Sequence, residues 1–322
     1  MRIAITGIGG FIGRRFAERA IARGHRVVGL ERDARAAAEA RRAGHETQEG
    51  DVADRGAAQR LLQGADVVFH TAAVVAEGGP PEPYRRVNVR GTRVMVEAAR
   101  AAGVQRFVHL SSVMVYGFNY PALVDEEGPV RGEGNPYCQT KIESELAAHD
   151  ARGTMPMTVV RPGDVYGPGS VPWVVRPLEL MRQGLFVLPT PGGVINHVHV
   201  DNLCDAVFLA VDQGVDGTFN VSDGVGLPIE QYFGRLAAMI GKTVRVLPAP
   251  LLTVAFAGAE QLFDRLGKEP PARAHAVRFL QRPHAVSIAR ARERLGYRPQ
   301  ISFADGMDGV ERWVLAQRFD AS

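Results

Sequence analysis

The chemistry this sequence can offer starts from two residues. Tyr137 and Lys141 lie four positions apart in Asn135-Pro136-Tyr137-Cys138-Gln139-Thr140-Lys141. On a helix that spacing stacks them on one face, one turn apart. A free phenol has a pKa of about 10, too high for efficient proton transfer near neutrality. An ammonium beside it stabilises the phenolate and lowers that value, so the pair reads as an acid/base device. Only three of the 38 basic residues are lysines. That position 141 carries one of them matters, because a guanidinium keeps its proton throughout and is bulkier. A third candidate is Ser112, just past the strand-like run Arg106–Leu110. A serine there can hold a substrate hydroxyl or carbonyl, and equally can cap the strand end locally.

The elements around these residues suggest a dinucleotide as the partner of the device. Arg2-Ile3-Ala4-Ile5-Thr6 is a β-branched run that enters Gly7-Ile8-Gly9-Gly10-Phe11-Ile12-Gly13 and then a periodic helix to about Arg23. A glycine loop in this strand–loop–helix context is the mark of a dinucleotide site. Gly7 permits the tight turn, Gly10 lets the backbone approach a pyrophosphate at the helix N-terminus, and Gly13 allows close packing. The next strand, His25–Leu30, ends in Glu31 and Arg32. Glu31 is placed to bind the adenosine ribose hydroxyls and to repel a 2′-phosphate, which favours NAD. Arg32 would serve the 2′-phosphate of the alternative, NADP. Asp51, past the weak strand Glu46–Glu49, can reach the adenine amino group or cap a helix. Thr71-Ala72-Ala73 follow the strand Asp66–His70, and their small side chains would let backbone lie against the cofactor. His70 reads as a packed strand-end histidine.

The remaining chain fits an α/β protein. A helix is expected over Tyr84–Ala102, loops over 74–83 and 118–134, and a further strand over Met157–Arg161. The run of strands and helices reads as one large α/β unit with a smaller lobe after about Pro168. Residues 1–168 form the nucleotide-binding part and 169–322 mainly the lobe, with about 190–225 returning to the core. The 322 residues are 46% hydrophobic and 23% charged, with a net charge of +3 and no basic block, which argues against a nucleic-acid partner. The apolar stretch Leu251–Phe263 is broken by Gly258 and Glu260 and is too short to span a bilayer, so a core or lid helix is expected and no membrane partner. Cys138 and Cys204 show no metal-ligand spacing, so no metal is expected. With no visible signal peptide, a cytoplasmic protein acting on a small molecule is the expectation.

Taken together, the motifs resemble the extended short-chain dehydrogenase/reductases. They are Thr6-Gly7-x-x-Gly10-Phe11-Ile12-Gly13, Asp51-Val52, His70-Thr71-Ala72-Ala73 and Asn88-Val89-x-Gly91-Thr92, then Ser112, Tyr137-x-x-x-Lys141 and Arg161-Pro162-Gly163-Asp164-Val165-Tyr166-Gly167-Pro168. His199-Val200-Asp201-Asn202 and Leu295-Gly296-Tyr297-x-Pro299 extend the match. The resemblance implies Tyr137 as general acid/base, Lys141 lowering its pKa and holding the nicotinamide ribose, and Ser112 orienting the reacting oxygen. It implies a Rossmann-type doubly wound parallel sheet with a smaller α+β C-terminal substrate lobe, and it places nicotinamide beside Pro162 and Gly163. Phe11, Ile12, Val52, Thr71, Ala72, Ala73, Asn88 and Val165 join the implied cofactor contacts. It also implies a homodimer built through the helices near Tyr84 and Tyr137. Val113-Met114 stand where the family's dehydratases carry an Asp-Glu pair, and Ile195 where its nucleotide-sugar epimerases carry an arginine. The overall form is nearer the 3β-hydroxysteroid dehydrogenase-like branch, which interconverts secondary alcohols and ketones. Met114, Phe118, Val171, Trp173 and Phe186 would suit its apolar pocket. A nucleotide-sugar epimerase that retains NAD is the runner-up.

Overall fold

In the computed structural model the described residues are 1–76, 78–265 and 273–317. Six strands run in parallel: β1 (Arg2–Thr6), β2 (Arg26–Glu31), β3 (Glu46–Glu49), β4 (Val67–His70), β5 (Arg106–Leu110) and β6 (Met157–Pro162). A seventh, Gly217–Val221, pairs in parallel with β6. The order across the sheet is Gly217–Val221, β6, β5, β4, β1, β2, β3. The order reverses between β4 and β1, and in open α/β sheets the crevice at the carboxyl ends beside such a reversal takes the ligand.

Alternation along the strands makes the sheet two-faced. Ile3, Ile5, Val67, Phe69, Val108 and Val160 face one core, which the helices Phe11–Ala22 and Val200–Asp212 cover with Phe16, Ala20, Leu203 and Phe208. Ala4, Val68, Phe107 and Val159 face the other, closed by Leu61, Met95, Val96, Ala148 and Ala151. The neighbouring apolar residues of each strand thus serve opposite layers, as a parallel sheet buried on both sides requires.

Element boundaries fall close to the expected ones, with local differences. The helix expected over Tyr84–Ala102 starts at Pro81 and widens to a π-turn over Arg85–Gly91 before continuing to Ala101. The wide turn lies against Val52, whose Cγ2 would be 2.6 Å from any Cβ at Gly91. His199-Val200-Asp201 is a strand end followed by a helix, because the His199 side chain accepts the Asp201 N–H and caps the helix Val200–Asp212. The elements outside the seven-stranded sheet include the helices Arg176–Arg182, Ile229–Ala238 and Ala249–Arg265, whose apolar faces gather around Val174, Leu178, Tyr232, Phe233 and Leu252. Among the described residues no helix is long and apolar enough to cross a membrane.

Candidate active site

The glycine loop is shaped by contacts that only glycine allows. Gly7 sits at φ 68° and would place a Cβ 3.1 Å from the Ala72 backbone, so Thr71-Ala72-Ala73 lie directly against the loop. Thr71 Oγ1 donates to the Thr6 carbonyl at 2.7 Å and Ala72 N donates to Thr6 Oγ1 at 3.2 Å, which locks the two strand ends together. A Cβ at Gly13 would lie 2.2 Å from the Gly7 carbonyl oxygen. The bare backbone of Gly7, Gly9, Gly10 and Gly13 lines one cavity of ≈ 750 Å³. The same cavity runs past Glu31, Arg32, Asp51 and Val52 at one end and past Ser112, Tyr137, Lys141, Pro162, Gly163 and Val165 at the other. Its side-chain-free cradle at a helix N-terminus fits a pyrophosphate, and its acidic end fits a ribose.

Two expected cofactor contacts have other work. Asn88 does not line the cavity; it is buried, accepts the Val74 N–H on Oδ1 at 2.7 Å and donates from Nδ2 to Thr140 Oγ1 at 3.0 Å. All of its amide is spent on joining the loop after β4 to the helix that carries Tyr137. Asp51 caps the turn at Ala53 (2.9 Å) and pairs with Arg86 Nη1 at 2.8 Å. Glu31 accepts from the backbone of Gly9 (3.1 Å), Arg32 (2.9 Å) and Asp33 (3.1 Å), so it braces the glycine loop besides facing the cavity.

The helix Pro136–Arg152 positions the acid/base pair. Asn135 caps it by accepting from Tyr137 N and Cys138 N, at 2.9 and 3.1 Å, and Pro136 needs no partner in the first turn. Ser112, at the end of β5, accepts from Met114 N at 3.1 Å and lines the same cavity as the Tyr137 phenol. Lys141 is buried and its Nζ donates to the Leu110 carbonyl at 2.8 Å, 5.8 Å from the Tyr137 ring centroid.

The electrostatics correct one expectation. Burial pushes the phenol up to about 12, with the Ser112 side chain partly opposing it, instead of the lowering expected from the ammonium. The reason is that Lys141 is itself desolvated, which brings it down to about 8, and its charge is directed at a carbonyl. Tyr137 is therefore a phenol at neutral pH. Burial and the charge of Lys141 bring His70 down to about 3. Its ring is held between Thr6 Oγ1 (2.7 Å) and Thr92 Oγ1 (3.0 Å), the packed histidine that was expected.

Past Ser112 and Tyr137 the cavity is walled by apolar side chains. Met114, Phe118, Trp173 and Phe186 line it, joined by Phe233, Phe256 and Phe279 from later elements. Val171 does not; it is 59% exposed at the surface. Two buried ion pairs behind the site carried no signal in local spacing. Arg161 meets Glu145 through one guanidinium edge, Nε at 2.9 Å and Nη2 at 2.6 Å, and Arg282 meets Asp164 at 2.6 Å. A periodic reading of the helix from Pro136 could have placed Glu145 one turn after Lys141; nothing in the sequence pairs positions 164 and 282.

Residues 3–222 match the model of the NAD dependent epimerase/dehydratase family. A 2-alkyl-3-oxoalkanoate reductase of Stenotrophomonas maltophilia is 32% identical, covering 95% of this chain and 97% of its own. A 4-hydroxy-2-methyl-3-oxo-4-farnesyl-3,4-dihydroquinoline-1-oxide ketoreductase of Stigmatella aurantiaca is 29% identical, covering 97% and 96%. Among solved structures, a UDP-glucose 4-epimerase of Thermus thermophilus in complex with NAD superimposes with a TM-score of 0.77 at 25% identity, covering 97% of this chain and 98% of that one.

Proposed function

The chain belongs to the NAD dependent epimerase/dehydratase family, an NAD-dependent enzyme, and on that premise we propose that it interconverts a secondary alcohol and a ketone on a largely apolar substrate. The observation that carries this reading is the continuity of one cavity from the glycine loop, past Ser112, Tyr137 and Lys141, into a chamber walled by aromatic side chains. Both relatives named above are reductases by name and are similar over nearly their whole length.

NAD, when bound, supplies or accepts the hydride. The residues that would hold it are the glycine loop, Glu31, Asp51, the Thr71–Ala73 backbone, Lys141 and the Pro162-Gly163 turn. In the reductive direction Tyr137 donates its phenolic proton to the oxygen of the ketone, and the Ser112 hydroxyl steadies that oxygen by a second hydrogen bond. Lys141, fixed by the Leu110 carbonyl with its Nζ 5.8 Å from the ring centroid, is the cation beside the phenolate left behind. Gly163 is required for this arrangement, since a Cβ there would lie 1.9 Å from the Asn196 carbonyl oxygen.

Epimerisation of a nucleotide sugar is the weaker reading. Ile195 is fully buried where a diphosphate would need a cation, and Asp164, paired with Arg282, stands on the cavity wall. Purified protein mixed with NADH and an apolar ketone is expected to consume the absorbance of reduced cofactor. Protein that arrives with tightly retained NAD, shows no net turnover of cofactor and acts on a nucleotide sugar would establish the epimerase instead.

Cofactor choice gives a separate expectation. Glu31→Ala weakens NAD binding by roughly 10-fold or more, the loss of a charged hydrogen-bonding partner, and weakens NADP binding less. Titration of intrinsic fluorescence measures both; an unchanged NAD affinity would remove Glu31 from the ribose site.

A further inference from the structure

Arg282 Nη2 donates to Asp164 Oδ2 at 2.6 Å, and both residues are buried, at 1% and 5% exposure. The Asn196 N–H donates to the same Oδ2 at 2.8 Å. Arg282 is itself fixed, donating from Nε to the Phe279 carbonyl at 3.0 Å and lying 4.1 Å from the centre of the Phe279 ring. The carboxylate is therefore held in place from two sides. Both of its hydrogen bonds fall on one oxygen. Among the described residues no donor reaches Oδ1, although Asp164 lines the cavity that holds Tyr137.

The surrounding wall sharpens the chemistry. Arg282 Nη1 lies 3.6 Å from Met114 Sδ, and Met114 packs in one cluster with Phe118, Tyr137 and Phe279. Met114, Phe118 and Phe279 offer a carboxylate oxygen no strong donor, and among the described residues no hydrogen bond joins the Tyr137 hydroxyl to Asp164. A charged oxygen at an apolar wall has lost part of its hydration and gains most from a ligand that brings an O–H. An anion placed there would meet like charge in a poorly screened site.

We propose that Asp164 Oδ1 is a specificity contact that accepts a hydrogen bond from a substrate hydroxyl, so that the enzyme selects hydroxy-ketones and the corresponding diols over plain ketones and alcohols. The contact rests on the oxidoreductase reading above and adds a polar requirement to its apolar substrate. The reacting carbonyl faces Tyr137 and Ser112, and the second oxygen of the substrate faces Asp164. Any carboxylate of the substrate is directed to another side of the chamber.

The test compares methyl hexyl ketone with its counterparts hydroxylated on the α or β carbon, using wild type and the D164L/R282M double variant. Replacing both partners by apolar side chains avoids stranding the guanidinium. Turnover with NADH and ligand-induced thermal shift in the presence of NADH are both read, and the shift given by NADH alone reports that the variant is folded. The expected result is a kcat/KM for one hydroxylated ketone roughly 10- to 100-fold above the plain ketone in wild type, with the ratio falling toward one in the double variant. Should the variant not fold, D164N is expected to reduce the ratio severalfold. Turnover of all the ketones without preference would overturn the contact and leave the oxidoreductase reading standing. Thermal stabilisation by the hydroxylated ligands without turnover would support the contact and overturn the reading. Neither preference nor turnover would end both.

Discussion

Tyr137→Phe lowers ketone reduction by about 10²- to 10⁴-fold, the range over which a positioned general acid contributes, and leaves NADH binding nearly unchanged. The phenylalanine keeps the ring and its packing against Met114 and Phe118 and removes only the proton. The sign of the pH dependence follows from the environment. Burial holds the phenol up at about 12, so the proton-donating form is intact through neutrality. Reduction is therefore flat from about pH 6 to 8 as far as this group decides it, and declines as pH climbs toward the phenol value. Alcohol oxidation needs the phenolate and rises with pH over the same range. Lys141, brought down to about 8 by burial, loses its charge on the alkaline side. Steady-state rates in both directions measure this. A reduction rate that climbs steadily from about pH 6 to 9 would remove the phenol from the role of donor.

Glu145→Ala is expected to cost about 3–5 kcal/mol of stability, the penalty of leaving a buried charge without its partner. For a chain of this size that lowers the melting temperature by about 5 °C or more. Glu145 accepts from Nε and Nη2 of Arg161 and also from the Ser111 hydroxyl. Arg161 continues to the Tyr116 hydroxyl (2.8 Å) and the Glu126 carbonyl (3.0 Å), and Tyr116 donates to Asn220 Oδ1 (2.8 Å). One network thus ties the Tyr137 helix, the end of β5, the loop after it and the last strand of the sheet. Replacing both charges, as E145M/R161M, recovers part of the loss because no ion is stranded. Calorimetric melting of the single and double variants decides the point; a single variant melting within about 1 °C of wild type would show that the network carries little stability.

The sheet and the glycine loop were legible because local pattern dictates them. Strands such as Arg2–Thr6 and Arg106–Leu110 are short apolar runs closed by small or polar residues, and their period of two survives any tertiary context. Tyr137 and Lys141 were legible for a similar reason, since four residues on a helix is a distance. What could not be read is whatever burial decides. The ammonium was expected to dominate the phenol, yet its charge is turned to the Leu110 carbonyl and desolvation prevails. Asn88 sits in a motif that implies a cofactor contact, and only the fold shows its amide used up between Val74 and Thr140. The Asp164–Arg282 pair spans 118 positions and leaves no trace in spacing.

The strand Gly217–Val221 has a consequence for synthesis. It seals the outer edge of β6, yet it follows β6 in the chain by more than fifty residues. While the ribosome builds the intervening segment, β6 is a hydrophobic strand with one row of amides and carbonyls unpaired, the kind of edge that recruits other chains. Asn220 reaches back at the same moment to Tyr116 and the Glu126 carboxylate, closing the buried network and the edge together. The nascent chain is thus expected to be most prone to association between the emergence of β6 and that of Val221. Fragments ending within that interval are expected to aggregate even though they already contain every residue of the acid/base device.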